Sequence, residues 1–352
     1  MKNFNRNLLA IAAPLTLASL PAQSHDNASP TYLPEIHAPA GVMADHLHKQ
    51  GEWMMGYRYT RQEFSGLFYG SSKATAAAAA ADGYSMVPTA MAMEMHMLDI
   101  MYAVNDNLTL MLMPQTMSMD MTMAMSGGGD GGMAMEMAAD MPMQGTHSHG
   151  TSGIGDTVVS GLFRLSNGPT HKLHGTFGIS APTGDVDKKN SNGSYVHYGM
   201  QLGSGTWDLL PAITYNGARD RISWGAQGSA RLPMEHENKS GFQFGERYAA
   251  TAWSAYRLQD WVSLSIRLGY TKQHDINGHY NGPHNHASPA DLQANYGGEF
   301  VDLALGANLV AQRGRLAGVR LGLEWTSSVS AHFNGYQLGR DDGLNLSLSY
   351  AL

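Results

Sequence analysis

The last eleven residues constrain the fold more than any other stretch. From Leu344 every second side chain is apolar or aromatic (Leu344, Leu346, Leu348, Tyr350, Leu352), and Asn345, Ser347, Ser349 and Ala351 lie between. A strand with that period shows one apolar and one polar face. The same period recurs along the chain. It is clearest at 262–270, where Val262, Leu264, Ile266, Leu268 and Tyr270 alternate with Ser263, Ser265, Arg267 and Gly269. At 301–309, Val301, Leu303, Leu305, Ala307 and Leu309 alternate with Asp302, Ala304, Gly306 and Asn308. Reading for period 2 predicts about twelve strands, near 52–64, 90–104, 107–123, 154–166, 170–181, 206–216, 219–232, 246–258, 260–273, 299–311, 316–327 and 343–352.

The connections between these strands alternate in length. Long segments at 65–89, 126–153, 182–205, 233–245, 274–298 and 328–342 are separated by short ones. The short ones fall at Asn105-Asp106, Asn167-Gly168-Pro169, Asn216-Gly217-Ala218, Gln259-Asp260 and Gln312 to Arg315. Short periplasmic turns and long extracellular loops produce this alternation in a transmembrane antiparallel up-and-down β-barrel. Arg320, Glu324, Arg221 and Gln227 fall on the face opposite Leu321, Leu323, Ile222 and Trp224. Charges in mid-strand suit a watery lumen and are costly against lipid.

The N-terminus fits export. Lys2 and Arg6 precede the apolar run Leu8 to Leu20, and Ala22-Gln23-Ser24 supplies small residues for signal peptidase. We therefore expect a signal peptide at 1–24, a periplasmic N-terminal segment at 25–50, and an outer-membrane β-barrel at 51–352. The barrel carries a Met/His-rich loop at 126–153. Its partners are then outer-membrane lipid, the barrel-assembly machinery that inserts such chains, and a small solute or metal ion. With no cysteine in the chain, thiolate metal sites and Cys nucleophiles are excluded. The formal charge of −7 becomes −9 once Lys2 and Arg6 leave with the leader, which disfavours nucleic acid as a partner. The run Ala76 to Ala81 reads as a helical turn or spacer, and Gly127 to Gly132 as a loop tip.

Methionine is the compositional anomaly. Of 24 methionines, 18 fall between Met86 and Met143, many at every second position. One set is Met91, Met93, Met95 and Met97. The next is Met117, Met119, Met121, Met123 and Met125, followed by Met133, Met135, Met137, Met141 and Met143. Thioether sulfur is a soft neutral ligand that selects Cu(I) or Ag(I). The alternative is packing, since Met is apolar and adaptable and an alternating stripe can face lipid. Leu108, Leu110 and Leu112 occupy even positions while Met111 to Met125 occupy odd ones, so the second set faces the lumen if the strand keeps its register. A bulge at Pro114 would reverse the faces.

Histidine shares that geography. Nine of 16 lie in the long loops, including the H-x-H pairs His147/His149 and His284/His286, whose imidazoles can chelate Cu(II), Zn(II) or Ni(II). His25, His37, His46 and His48 lie in the N-terminal segment, and His25 would become a copper-chelating terminus after cleavage at Ser24. No dinucleotide, P-loop or G-x-S-x-G motif is present. A barrel-wall hydrolase would have to recruit residues such as Ser160 and His174, and an enzyme is not the expectation.

Several stretches resemble one family. They are Asp45-His46-Leu47-His48, Glu52 to Tyr59, Met101-Tyr102-Ala103-Val104 with Asn107 to Met111, and Gly153-Ile154-Gly155-Asp156. Ala181-Pro182-Thr183-Gly184-Asp185 and Gln201 to Pro211 complete the set. Together they are similar to the outer-membrane proteins grouped under the MetA pathway of phenol degradation, over roughly 40–352. The resemblance implies an outer-membrane barrel and passage of small molecules, with Met-rich members associated with metal handling. It brings no catalytic residues. The expectation is a barrel that conducts or captures a small solute, with copper or another soft metal favoured. The alternatives are a channel for small hydrophobic or aromatic compounds and a structural barrel with partner-binding loops.

Overall fold

The computed structural model describes residues 32–126 and 146–352. Its strands are β1 Trp53–Gly70, β2 Ser72–Lys73, β3 Met86–Asn105, β4 Leu108–Met113, β5 Gln115–Met125, β6 His147–Ile154, β7 Thr157–Asn167 and β8 His171–Ala181. They continue as β9 Asp208–Arg219, β10 Ile222–Pro233, β11 Phe242–Gln243, β12 Arg247–Gln259, β13 Val262–Gln273, β14 Asn277–Gly278, β15 Gly298–Val310 and β16 Arg320–Ala351. One six-residue helix, α1 Ala76–Ala81, is capped by the Thr75 side chain, which accepts from the Ala78 N–H at 3.1 Å. It stands where the alanine run predicts a helical turn.

Fourteen strands form one sheet, which closes on itself because β1 pairs with both β16 and β3. Eleven of them make the ring, while β2, β5 and β6 extend it. All pairings are antiparallel, and a closed ring of antiparallel neighbours needs an even number of passes. The 32-residue β16 supplies the twelfth by doubling back. Phe333 pairs with Gly298 on one side and Gly70 on the other, while Asn345 returns to hydrogen-bond Glu324 at 3.1 Å. The segment 328–342, expected to be a long loop, is instead the top of this hairpin. Phe333, Tyr336 and Leu338 are buried there, and Phe333 packs against Phe300.

The two faces divide by chemistry as the alternation predicts. Leu98, Leu110, Leu112, Val159, Phe177, Ile213, Leu264, Ile266, Leu268, Leu305 and Leu348 are exposed on the outer wall. Arg58 pairs with Asp99, Arg267 with Glu324 and Arg340 with Asp302 on the inner one. This is an outer-membrane barrel, whose lipid-facing band the apolar residues supply. Leu348→Arg should therefore cost about 2–4 kcal/mol of barrel stability while Ser347→Arg, on the inner face, costs little. Equal shifts in urea unfolding of the two folded proteins would refute the face assignment.

Two turns differ from their sequence reading. The connection expected at Gln312 to Arg315 spans 311–319, with β16 beginning at Arg320 and not at 316. Asn216-Gly217-Ala218 is strand, and the chain reverses at Asp220-Arg221, with Asp220 at φ 58°. Gly217 serves packing, since a Cβ there would run into the Trp224 indole. Asn216 reaches inward, its amide donating to the Asp45 carbonyl at 2.7 Å.

Residues 32–50 were expected below the barrel and lie within its bore. Their backbone carbonyls accept from Arg58, Asn216, Ser223, Gln227 and Asn308. His174 meets the Ala44 carbonyl at 2.9 Å, and Thr109 accepts from the His48 N–H. Side chains from six strands around the ring converge on one segment only if it is inside. The reason is its backbone. A non-repetitive strand of carbonyls needs donors, and the inner wall supplies them.

Candidate functional site

The methionines gather on the inner face of one stretch of wall. In the β3–β5 register, Met91 lies opposite Met121, Met93 opposite Met119 and Met95 opposite Met117. Directly opposed side chains have Cβ atoms about 4.5–5.5 Å apart, and successive rungs follow at about 6.5–7 Å. Pro114 separates β4 from β5 without changing the register. Ile100↔Leu112 below it and Met97↔Gln115 above it belong to one unbroken pairing. The parity of Leu110 and Leu112 therefore carries upward, and Met119, Met121 and Met123 are buried within the bore. The first set follows them. Met91 and Met93 pack against this cluster, and Met97 is buried. Met117 packs at its edge, whereas Met125, at the strand end, is exposed.

The outer face of the same stretch is polar. Thr116, Ser118, Asp120 and Thr122 on β5, with Ser148, Gly150 and Ser152 on β6, take the outward positions. This part of the wall therefore rises beyond the apolar band, and the ladder sits toward the long-loop end.

Loop 182–207 closes over the ladder. Val196, Met200 and Leu202 pack against Met119, Met121 and Met123, and Thr151 donates to the Met200 carbonyl at 2.7 Å. Three of the stretches that carry the family resemblance, 153–156, 181–185 and 201–211, meet where this loop is anchored. Asp156 accepts from the Gly184 N–H at 3.1 Å, the Ser204 N–H at 2.8 Å and the Ser204 hydroxyl at 3.0 Å. Arg231 bridges Asp156 and Asp208, and Thr206 donates to Asp208 at 2.6 Å. Gly184 and Gly203 cross so closely that a Cβ on Gly184 would meet the Gly203 Cα at 2.8 Å. These residues hold the loop in place; their number and burial suit a structural clasp. Beyond it, Tyr195, Tyr198, Phe242 and Tyr280 stack into an aromatic cap.

Between ladder, loop and β6 lies a cavity of about 570 Å³. Met86, Met123, His147, His149, His197 and Asp291 line it. The His147 and His149 rings stack at 5.7 Å, and His149 meets His197 at 5.1 Å. The His197 Nδ1 is 2.6 Å from an Asp291 carboxylate oxygen, a contact that fixes the ring and leaves Nε2 for another partner. Burial pushes His149 down to about 4, and the neighbouring His197 and His147 push the same way. His149 is therefore a neutral imidazole, the form that ligates metals.

The sequence reading located His147 and His149 but not His197 or Asp291, which reach the cavity from loops 48 and 142 residues further on. His284 and His286 pack ring to ring at 4.6 Å, and Asn285 between them lines the cavity. Met133, Met135, Met137, Met141 and Met143 lie outside the described residues. Ser160 and His174 are not brought together. Ser160 pairs with Gly178 and His174 with Arg164, four rungs away and so roughly 13 Å along the wall.

The model of the family described as "Putative MetA-pathway of phenol degradation" matches residues 121–325. Among solved structures, an outer membrane channel from Pseudomonas putida F1 superposes with a TM-score of 0.56 at 16% identity, covering 88% of this chain and 98% of that one. A FadL homologue from Pseudomonas aeruginosa gives a TM-score of 0.42 at 9% identity, with 85% and 90% covered. No curated protein matches the sequence.

Proposed function

This chain belongs to the family of the MetA pathway of phenol degradation, and we propose that it is an outer-membrane channel that captures soft metal ions, copper above all, at its long-loop end. The observation that carries this reading is the donor set around one cavity. Thioethers at Met86 and Met123 and imidazoles at His147, His149 and His197 line a single space, backed by the methionine ladder. Thioethers favour Cu(I) and Ag(I), and neutral imidazoles favour Cu(II). A hydrophobic wall built for packing alone has no need of three histidines beside it.

The test replaces Met117, Met119, Met121, Met123 and Met125 by Leu. This swap keeps volume and costs less than about 1.5 kcal/mol per site. The folded variant should lose most Ag(I) binding in a titration of the detergent-solubilised protein. His147→Ala with His149→Ala and His197→Ala should weaken Cu(II) more than Ag(I). Because burial pushes His149 down to about 4, its share of Cu(II) capture should persist at pH 5, where an ordinary histidine (pKa about 6.5) is mostly protonated, and His149→Ala should weaken the Cu(II) binding that remains at that pH. Undiminished silver binding by the Met-to-Leu protein would make the ladder packing. The second reading would then lead, in which the aromatic cap and the methionine face pass small aromatic compounds, as the family's description suggests.

A further inference from the structure

A second cluster of ligating side chains lies in the bore segment, on chain that the channel reading leaves without a task. His37, Asp45 and His46 each offer one donor atom, and these atoms lie within 4.8 Å of one another. The His37 and His46 rings meet edge to face at 4.7 Å, and His48 continues the row at 4.8 Å from His46. The Nε2 atoms of His37, His46 and His48 are enclosed and have no hydrogen-bond partner. The His48 side chain is 5% exposed and that of Asp45 9%. A buried polar nitrogen without a partner costs roughly 1–3 kcal/mol, so three in one row mark a place built for something that binds imidazole.

We propose that His37, Asp45 and His46, with His48 as a further donor, bind one divalent ion of borderline softness such as zinc, copper(II) or nickel(II). Two imidazoles and one carboxylate suit these ions and leave hard cations underserved. Ligands about 2.0–2.2 Å from a common ion stand at most about 4 Å apart. The set must therefore close by under about 1 Å, which imidazole rotation supplies. Arg320 approaches His37 Nδ1 at 3.2 Å. Its charge sets a cation beside the site, and Asp45 is the carboxylate that offsets it. The segment's own fold provides the frame, since Asp45 also accepts the Ala38 N–H at 3.0 Å and so closes the turn that faces His37 toward His46. This site is independent of the cavity at the long-loop end, which uses other residues.

The experiment measures zinc retained per chain after chelator treatment, reloading and gel filtration of the folded, detergent-solubilised protein. The variant His37→Ala with His46→Ala should retain one ion fewer than the parent. The variant His147→Ala with His149→Ala and His197→Ala should keep that ion. Asp45→Asn preserves an acceptor for the Ala38 N–H and removes the charge. Loss of even an outer-shell partner costs about 10–100-fold in metal affinity, so Asp45→Asn should weaken this ion by at least about ten-fold. It also carries the test if the double variant fails to insert. Equal zinc in parent and double variant, or unchanged affinity in Asp45→Asn, overturns the site. Loss of silver binding at the methionine ladder would leave it untouched.

Discussion

Deleting residues 32–50 should turn a barrel that passes little ionic current into one with resolved open-channel steps in a planar bilayer. The segment is bound across the whole bore, with partners on strands from β1 to β15. Nearly every bond is from a wall side chain to a backbone carbonyl, so removing the segment exposes Arg58, Asn216, Ser223, Gln227 and Asn308 to water that can replace it. The wall should survive, because its own ladders do not involve the segment and the inward pairs Arg267 with Glu324 and Arg340 with Asp302 stay intact, while Arg257, which loses Glu35, gains water in the opened bore. Heat-modifiable gel migration checks that survival, and bilayer recording then reads the bore. A folded deletion as silent as the parent would place the barrier in loop 182–207 and its aromatic cap.

The wall was legible because lipid enforces alternation. At 262–270 and 301–309 one wrong residue on the outer face would be costly, so the pattern is clean and the strands fall within about two residues of their expected places. The loops obey no such rule. Segment 328–342 reads as loop because Ser, Asn and Gly are frequent, yet it is strand, its inward positions filled by Phe333, Tyr336 and Leu338. Gly217 reads as a turn because glycine usually marks one, whereas here it makes room for Trp224. The inward face of Met111 to Met123 was readable from the parity of Leu110 and Leu112, since Pro114 preserves the register. His197 and Asp291 were not. Their meeting with His149 depends on loop packing between distant segments, which no local spacing records. The bore segment was missed for a similar reason: its backbone finds donors on strands up to 274 residues away.

Glu324→Ala should destabilise the barrel by about 3–5 kcal/mol, more than any single exposed charge could. The Glu324 side chain is fully enclosed, with Oε1 2.6 Å and Oε2 3.0 Å from the Arg267 guanidinium in a two-pronged pair. Asn345 also donates to Oε1, at 3.1 Å, tying the last pass of the wall to the one before it. Gly41 of the bore segment passes so near that a side chain there would collide with Glu324. Removing the carboxylate leaves Arg267, only 13% exposed, with its charge uncompensated and Asn345 with only the more distant Thr326 hydroxyl, at 3.5 Å, as acceptor. The cost arises from that orphaned charge and not from the worth of the pair itself, because burying two ions is expensive before they attract. Arg267→Leu together with Glu324→Leu should therefore be markedly less damaging than Glu324→Ala alone. Urea unfolding in lipid vesicles, followed by tryptophan fluorescence, compares the two. If the double variant is the less stable, the pair contributes net stability. The inner wall would then depend on ion pairs as strongly as the outer wall depends on its apolar band.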